Sequence, residues 1–200
     1  MSDAQRRLGP GALILVVGPS GAGKDTLIDI ARAALAERSD VHVARRLVTR
    51  PAGAGEAHGT LTLEDFARLQ PRFALCWQAH GLSYALGEDV ADWISAGHTV
   101  IANGSRATLP VARARFERLC VVHVTAPVDV RAQRLAARGR ESAQDIAERL
   151  TRAPALDVAP ELEIVNVGTP QEGGLRLADF VRRVTDDKTY IPAQNAGARA

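Results

Sequence analysis

The sequence predicts an α/β fold built on a parallel β-sheet, and three observations support this prediction. The chain has 200 residues, of which 46% are hydrophobic and 24% charged, a size and composition typical of one folded domain. An apolar run at 12–17 is followed at once by a glycine-rich loop and an amphipathic helix. The same order of strand and helix recurs along the chain, which favours parallel strands. We therefore expect a single domain over residues 1–200.

The first strand and helix flank the glycine-rich loop. Residues 1–11 show no periodicity and are predicted to form a loose tail, whereas 12–17 are predicted to be a buried strand. After the loop, apolar residues keep helical spacing to about residue 38. A second strand is predicted near residues 41–43.

Three further strand and helix pairs complete the predicted core. Strand 99–102 precedes helix 106–118, strand 119–125 precedes helix 128–138, and strand 162–167 precedes helix 170–184. Such pairs place successive strands parallel in one sheet. The predicted core therefore comprises residues 12–44 and 98–185, and a second loose tail is expected over 186–200.

Residues 45–97 depart from this pattern and are predicted to be an insertion. It combines a Gly/Pro loop, a short helix and two β-like pieces, at 51–59, 63–69, 73–79 and 82–86. A second departure is the arginine-rich link Arg138-Gly139-Arg140-Glu141, whose glycine suits a hinge between two helices. We expect a short lid over about 138–146.

Composition excludes several classes of protein. The two cysteines, Cys76 and Cys120, lie in apolar runs without metal-site spacing, so we expect buried thiols in a reducing cytoplasm and no disulfide. The longest apolar runs are much shorter than the roughly 20 residues of a membrane helix, so no membrane association is expected. The net charge of +2 is too small to indicate nucleic-acid binding.

Basic residues are nonetheless concentrated in two parts of the chain. Residues 1–50 carry 8 basic and 5 acidic groups, and residues 106–152 carry 10 and 5. Two basic segments that converge in the fold suit a polyanionic ligand, although a solvated arginine-rich helix face gives the same pattern. Of the 25 basic residues only Lys24 and Lys188 are lysines, which indicates a specific requirement for lysine at position 24.

The strongest motif is the glycine-rich loop itself. It fits the first seven positions of the phosphate-binding pattern G-x-x-x-x-G-K-[ST] and consists of Gly18, Pro19, Ser20, Gly21, Ala22, Gly23 and Lys24. Its backbone N–H groups and the start of the following helix attract phosphate, and Lys24 adds a compact charge. Asp25 occupies the Ser/Thr position and Thr26 follows it, so both are candidate Mg²⁺ ligands and the choice between them stays open.

The residues after the other strands narrow the class of phosphate-binding protein. The strand 99–102 ends in Asn103-Gly104-Ser105-Arg106, without the aspartate that often orients the metal, and GTPase-style base-recognition motifs are absent from the sequence. A small α/β core with one insertion and one arginine-rich lid is the layout of enzymes that close over two phosphorylated ligands.

Four segments resemble guanylate kinases across about residues 12–185. They are GPSGAGKD, TRPAGAGEAHG, the helix start Leu63-Glu64-Asp65-Phe66, and RLAARGRESAQDIAERL. The resemblance implies a P-loop NTPase fold of the nucleoside monophosphate kinase type, with a three-layer parallel sheet, an acceptor-binding insertion and a short arginine-rich lid. Within that superfamily, Lys-Asp-Thr in the loop, WQAHGLSYAL and NGSRA are more similar to ribose 1,5-bisphosphate phosphokinases.

The positions at which this sequence differs from guanylate kinases also favour a resemblance to ribose 1,5-bisphosphate phosphokinases. A second arginine expected after Thr-Arg-Pro is Gly53, and the turn that contributes to guanine recognition becomes residues 103–107. Conversely, Arg45, Arg46 and Arg50 place three guanidinium groups at the mouth of the insertion, enough to bind an acceptor with two phosphates. An alternative for Arg45 and Arg46 is that they are exposed ends of the second strand.

The resemblance implies that ATP, with Mg²⁺, phosphorylates ribose 1,5-bisphosphate to give ADP and 5-phosphoribosyl 1-diphosphate in phosphonate catabolism. The lid arginines would act with Lys24 in catalysis; they are Arg138, Arg140 and Arg149. An acceptor pocket is expected from Glu56, His80, Tyr84 and Ser105, with His58 and Ser83 as weaker candidates. The alternatives are a nucleoside monophosphate kinase that acts on GMP and a catalytically inactive binding module. A monomer or homodimer in the cytoplasm is expected.

Other polar and aromatic residues are predicted to be structural. Trp77 and Trp93 are expected in the core or at a domain junction. Three histidines in or near strands are likewise expected to be structural, namely His42, His98 and His123. Arg131 and Arg134 are expected on a solvated helix face, and Arg149 has the alternative of a surface ion pair.

Overall fold

The fold contains two β-sheets. The structure is a computed structural model that describes residues 7–49, 58–79, 81–137, 144, 147, 150, 156, 158–190 and 192. In chain order the strands are β1 (Leu8–Val17), β2 (Val41–Val43), β3 (Arg46–Val48), β4 (His58–Thr60), β5 (Leu75–Ala79), β6 (Leu82–Leu86), β7 (Thr99–Asn103), β8 (Phe116–Thr125) and β9 (Leu162–Val165). The helices are α1 (Lys24–Ala34), α2 (Leu63–Leu69), α3 (Glu88–Ser95), α4 (Leu109–Arg115), α5 (Val128–Ala136) and α6 (Pro170–Asp186).

The larger sheet has five parallel strands in the order β2-β7-β1-β8-β9. The central strand β1 pairs with β7 on one side and β8 on the other, and Ile14 lies opposite Ile101 and Cys120. This topology confirms the predicted α/β fold with a parallel sheet. It also follows from the apolar run 12–17, since a strand buried on both faces reads as continuously hydrophobic.

Helices cover both faces of this sheet and make three layers. Ala12, Ile14 and Val16 point to one face, where they form a core with residues of α1 and α6. Leu13 and Leu15 point to the opposite face, where they form a second core with residues of α3 and α4. The alternation of side chains along β1 therefore divides one apolar strand between two cores.

The smaller sheet has the order β4-β3-β6-β5, with β3 antiparallel to β6 and β6 antiparallel to β5. It contains both predicted β-like pieces. Arg46 was expected at the mouth of the insertion or at the end of the second strand, but it begins a separate strand, β3, and pairs with Leu86 and His58. The chain leaves the larger sheet at Ala44, whose N–H still donates to Ile101.

Helix α3 packs on the larger sheet although it lies within the predicted insertion 45–97. Val90 and Ile94 are fully buried in the same core as Leu13 and Leu15. Gly11 on β1 lies so close to Ile94 that a Cβ atom there would stand 2.7 Å from the Ile94 carbonyl oxygen. The helix therefore completes one layer of the core, so the core resumes before residue 98.

Two predicted boundaries on the amino side of the sheet are wrong. Strand β1 begins at Leu8, inside the expected tail 1–11, because Leu8 pairs with Phe116 and Arg7 Nη2 donates to the Arg113 carbonyl at 3.0 Å. The helix predicted over 106–118 is a 3₁₀ turn at Arg106–Thr108 followed by α4, and Phe116 already belongs to β8. Burial of Phe116 in the core selects the strand over the helix.

The tail predicted from residue 186 is also ordered further than expected. Helix α6 ends at Asp186, and Arg118 Nη2 then donates to the Val184 and Asp187 carbonyls at 3.1 and 2.9 Å. Tyr190 packs against the core on the α1 and α6 face. Side-chain contacts from β8, which sequence periodicity does not report, therefore hold residues 187–190 on the domain.

Both cysteines are free thiols, as predicted. Cys120 is fully buried on β8, whereas Cys76 on β5 is only partly buried, less than expected. Burial raises the pKa of both thiols. Within the described parts of the chain, no helix combines the length and apolar character needed to cross a membrane.

Candidate functional site

The glycine-rich loop lies at the carboxyl edge of the larger sheet. Strand β1 ends at Val17, and its neighbours β7 and β8 lead away on opposite sides. In open α/β sheets, this switch in strand order opens a crevice where ligands bind. The chain crosses the crevice from Gly18 and enters α1 at Lys24, so the loop and the start of α1 face the same space.

Glycine is required at three positions of the loop. Gly18, Gly21 and Gly23 have φ values of 148°, 80° and 92°, which side-chain-bearing residues rarely adopt. A Cβ atom at position 18 would clash with the Val124 carbonyl oxygen, and one at position 21 would lie 2.9 Å from the Arg131 carbonyl oxygen. The loop is therefore seated tightly against the ends of β8 and α5.

Lys24 closes the loop from its carboxyl end. Its Nζ donates to the carbonyl oxygens of Gly18 and Pro19 at 2.9 and 3.3 Å. The ammonium group therefore lies over the loop rather than in solvent. Its charge adds to the partial positive charge at the start of α1, and together they suit a phosphate group.

Asp25 and Thr26 face different parts of the molecule. The Asp25 carboxylate accepts a hydrogen bond from the side-chain amide of Asn103, which ends β7. Asn103 Oδ1 is buried and has no hydrogen-bond partner among the described residues. Thr26 instead lines a groove between α1 and α6 together with Ile30 and Gln171. The geometry therefore favours Asp25 over Thr26 for a metal ion at the loop.

On the smaller sheet, Arg46 lies over the ring of Tyr84. Its guanidinium carbon is 5.3 Å from the ring centroid, and Tyr84 stacks on Trp77 at 5.4 Å. Arg46 Nε is buried without a hydrogen-bond partner in the described part of the chain. The cation–π contact holds the guanidinium group in place and leaves nitrogen donors for another ligand.

No family model matches the chain. The chain is 46% identical over 177 residues to ribose 1,5-bisphosphate phosphokinase PhnN of Rhodopseudomonas palustris, covering 88% of this chain and 90% of that one. It is 47% identical over 177 residues to the protein of the same name from Agrobacterium fabrum, covering 86% and 96%.

The chain belongs to the ribose 1,5-bisphosphate phosphokinase family. This confirms the closer of the two resemblances seen in the sequence. The solved structure of guanylate kinase from Anaplasma phagocytophilum superimposes with a TM-score of 0.63 and 15% identity, covering 86% of this chain and 85% of that one. The guanylate kinase-like P-loop fold is thereby confirmed as well.

Several predicted site residues of this family member lie outside the described residues. They are Arg50, Glu56, His80, Arg138, Arg140 and Arg149. His58 begins β4, and a role of its side chain in acceptor binding stays a prediction. Arg45 is exposed beside β3, so its proposed contact with an acceptor stays a prediction.

Ser105 and Ser83 have identifiable local roles in this phosphokinase family member. The Ser105 hydroxyl accepts a hydrogen bond from the Ala107 N–H at 3.3 Å and caps the 3₁₀ turn after β7. The Ser83 N–H donates to Thr49 Oγ1 at 2.9 Å, which ties the end of β3 to β6. Acceptor binding by Ser105 and Ser83 stays a prediction.

The prediction that Arg131 and Arg134 lie on a solvated helix face is wrong. Arg131 is only 5% exposed, and its Nε donates to the Ala126 carbonyl at 3.2 Å. Arg134 is half-buried and donates through Nη2 to the Asn166 carbonyl at 3.1 Å. Helix α5 docks against the loop because Gly21 presents no side chain, and docking turns these arginines inward.

Asn166 is a supporting residue that sequence reasoning missed. It follows β9, is 4% exposed, and its side-chain amide donates to the Ala22 carbonyl at 2.8 Å. Its backbone N–H donates to the Thr125 carbonyl at 2.7 Å. It therefore ties the phosphate loop to two neighbouring strand ends, and its position just after a predicted strand was the available signal.

Two of the three histidines form a cluster away from the loop. His42 Nε2 and His98 Nδ1 are 2.8 Å apart, and the His42 ring stacks on Trp93 at 4.3 Å. Burial, and secondarily the neighbouring His98, lower the pKa of His42. These contacts agree with the structural role predicted for His42, His98 and Trp93.

Proposed function

We propose that the protein transfers the γ-phosphoryl group of ATP to the 1-phosphate of ribose 1,5-bisphosphate, forming 5-phosphoribosyl 1-diphosphate and ADP. The observation that carries this proposal is the loop at residues 18–24 with Lys24 Nζ over it, in a member of this phosphokinase family. We place the reaction in the cytoplasm and expect a monomer or homodimer.

The acceptor needs little chemical activation in this reaction. An oxygen of the 1-phosphate attacks the γ-phosphorus, a new P–O bond forms, and the bond from the γ-phosphorus to the bridging oxygen of ADP breaks. Because the attacking phosphate oxygen is already anionic, no side chain has to remove a proton. The protein's task is to align the two phosphates and to stabilise the transferred charge.

Lys24 and the loop backbone support the donor side of this proposal. The ammonium group of Lys24 would bind the β- and γ-phosphates of ATP, and the loop N–H groups would surround them. A point charge suits this position, because a planar guanidinium group has a different shape and reach. Asn166 holds the loop in place through the hydrogen bond that its side-chain amide donates to the Ala22 carbonyl.

The residues beside the loop fit Mg²⁺, which accompanies ATP in such reactions. Mg²⁺ prefers oxygen ligands and keeps several waters, and Asp25 offers an exposed carboxylate at the start of α1. The side-chain amide of Asn103 donates to this carboxylate, and its Oδ1 has no hydrogen-bond partner among the described residues. Asp25 would hold the ion, which when bound neutralises phosphate charge.

Arg46 supports the acceptor side of the proposal. It projects from β3 in a small sheet that sequence resemblance associates with acceptor binding, and its guanidinium group is held over Tyr84. A guanidinium group can form two parallel hydrogen bonds to one phosphate. We propose Arg45, Arg50, Glu56, His80, Tyr84 and Ser105 as further acceptor contacts, and Arg138, Arg140 and Arg149 as lid residues that bind the transferred phosphate.

Coupled ADP release tests this function. Purified protein would be assayed with Mg-ATP and either ribose 1,5-bisphosphate or GMP, and phosphorus NMR would identify the product. We expect turnover with the bisphosphate and a new diphosphate signal. Turnover with GMP alone would overturn the proposal and indicate a nucleoside monophosphate kinase, and absence of transfer to any acceptor would indicate a binding module.

A further inference from the structure

Arg106 and Arg131 are two cations beside the phosphate loop that the proposed function does not use. Arg106 begins the 3₁₀ turn after β7, and Arg131 lies in the first turn of α5 after β8. Because β7 and β8 flank β1, the two arginines approach the loop from its two sides. Both lie at the carboxyl edge of the sheet.

Arg131 is buried with an unused hydrogen-bond donor. Arg131 is only 5% exposed, and its Nε donates to the Ala126 carbonyl at 3.2 Å. Its Nη1 is buried and has no partner among the described residues. A buried guanidinium nitrogen without an acceptor is costly, so an anionic ligand is the partner that this position lacks.

Arg131 also lies next to the loop itself. The Cβ position of Gly21 would be 3.1 Å from Arg131 Cβ and 2.9 Å from the Arg131 carbonyl oxygen. No residue with a side chain fits at position 21 without moving α5. The absence of a Cβ at Gly21 therefore brings the arginine into the wall of the phosphate loop.

Arg106 is close enough to Arg131 for the two charges to repel. Burial lowers the pKa of Arg106, and the charge of Arg131 lowers it further. The pKa of His123 on β8 is lowered mainly by burial. The charges of Arg106 and Lys24 lower it further, and Glu163 opposes this shift. Among the described residues, no carboxylate forms an ion pair with Arg106 or Arg131. Two close cations without an acid between them favour binding of an anion.

We propose that Arg106 and Arg131 together bind one phosphate group at the edge of the loop. This inference rests on the proposed function and extends it, because it assigns phosphate contacts to residues outside the loop, the insertion and the lid. The phosphate belongs either to the γ-position of the nucleotide or to the sugar acceptor. In either case the bound anion relieves the repulsion between the two arginines and satisfies Arg131 Nη1.

Titration calorimetry on four variants tests the pair. Arg106→Met and Arg131→Met remove one charge each and keep much of the side-chain volume, and Arg131→Lys keeps the charge without the planar fork. The control is Arg32→Met, which removes an exposed arginine of α1 that pairs with Asp29. Each protein would be titrated with Mg-ADP, with the non-hydrolysable Mg-AMP-PNP and with ribose 1,5-bisphosphate.

We expect Arg106→Met and Arg131→Met to weaken one of these ligands by about 10- to 100-fold, and Arg32→Met to weaken none. Weaker AMP-PNP binding with unchanged ADP binding assigns the pair to the γ-phosphate. Weaker bisphosphate binding with unchanged nucleotide binding assigns it to the acceptor. Unchanged affinity for all three ligands, or an equal loss for all three, would overturn the proposal.

Thermal unfolding separates ligand binding from a structural role. Since Arg106 is repelled by Arg131, Arg106→Met should leave the Tm of the ligand-free protein unchanged or raise it, whereas a structural arginine would lower it. If Arg131→Met does not fold, Arg106→Met and Arg131→Lys still decide the question. Wild-type protein that transfers no phosphate would overturn the proposed function alone, and titration with inorganic pyrophosphate would still compare the variants.

Discussion

The side-chain amide of Asn103, at the end of β7, donates a hydrogen bond to the carboxylate of Asp25 in the first turn of α1. This bond spans 78 residues of sequence and joins the carboxyl end of β7 to the start of α1. It orients the carboxylate at the mouth of the phosphate loop, where a motif of this kind ordinarily carries a hydroxyl group. Asn103 thus positions the group that we propose as the metal ligand.

Asp25→Ala should therefore impair the use of Mg²⁺ far more than Thr26→Ala. We expect kcat/KM to fall by more than about 100-fold in Asp25→Ala, with a higher Mg²⁺ concentration at half-maximal rate. Asn103→Ala should lose about 10- to 100-fold, because it removes a positioning contact. Mg²⁺ titrations of the initial rate measure all three. A larger effect in Thr26→Ala than in Asp25→Ala would transfer the role to Thr26.

Lys24→Ala should lower turnover by about 1,000-fold, because the ammonium group stabilises the charge on the transferred phosphate. Lys24→Arg should not restore it, since the guanidinium group has a different shape. Lys188→Ala is the matched control: Lys188 is the other lysine of the chain and donates to the Gly97 carbonyl at 3.1 Å. Coupled ADP release gives the rates. Substantial activity in Lys24→Ala would contradict the assignment of the loop.

Arg46→Ser should raise the KM for ribose 1,5-bisphosphate by about 10- to 100-fold and leave the KM for ATP unchanged, because only acceptor contacts are lost. Tyr84→Leu should change this KM in the same direction, since it removes the ring that holds Arg46 in place and a proposed acceptor contact. Arg68→Ser removes an exposed arginine paired with Asp65 and serves as control. Equal changes in both KM values would remove Arg46 from the acceptor site.

Gly18→Ala should destabilise the protein more than Gly81→Ala. Both glycines have positive φ, 148° and 71°, but a Cβ at position 18 would clash with Val124 whereas one at position 81 would meet nothing within 4 Å. We expect Gly81→Ala to cost about 1 kcal/mol from backbone conformation alone and Gly18→Ala to cost clearly more. Urea denaturation gives both free energies of unfolding. Equal losses would show that the Val124 contact is absorbed by movement of the loop.

Stability should fall as the pH drops below about 6.5. Burial lowers the pKa of His42 in the folded protein from its ordinary value of 6.5, and His98 lowers it further. The unfolded chain therefore binds a proton at a higher pH than the folded protein, and acid favours unfolding. His123 contributes with the same sign, since burial also lowers its pKa.

Replacing His42 with phenylalanine tests this pH dependence. His42→Phe keeps a ring beside Trp93 and removes one titrating group, so the free energy of unfolding should change less between pH 7.5 and 5.5 than in the wild type. Urea denaturation at the two pH values measures the change. An unaltered pH dependence would show that His42 does not contribute to it.

Local patterns were sufficient to predict the central architecture. The apolar run at 12–17 and the repeated strand and helix pairs implied a parallel sheet, because continuous hydrophobicity and alternating periodicity are properties of neighbouring residues. The phosphate loop could also be predicted, since Gly18, Gly21 and Gly23 adopt a backbone conformation that few other residues adopt. The start of β8 at Phe116, three residues before the predicted strand 119–125, could not be predicted, because a short apolar segment suits a helix or a strand equally well.

The sequence by itself thus determined the parallel sheet, the phosphate loop with Lys24 and the family resemblance. Only the tertiary structure decided which side chains surround the loop. Arg131 and Arg134 looked like surface residues because their helix has a polar face, yet docking of α5 against Gly21 buries Arg131 and half-buries Arg134. Asn103 meets Asp25, and Asn166 meets Ala22, for the same reason: which residues come together at the carboxyl edge depends on the order of strands in the sheet, which no local pattern contains.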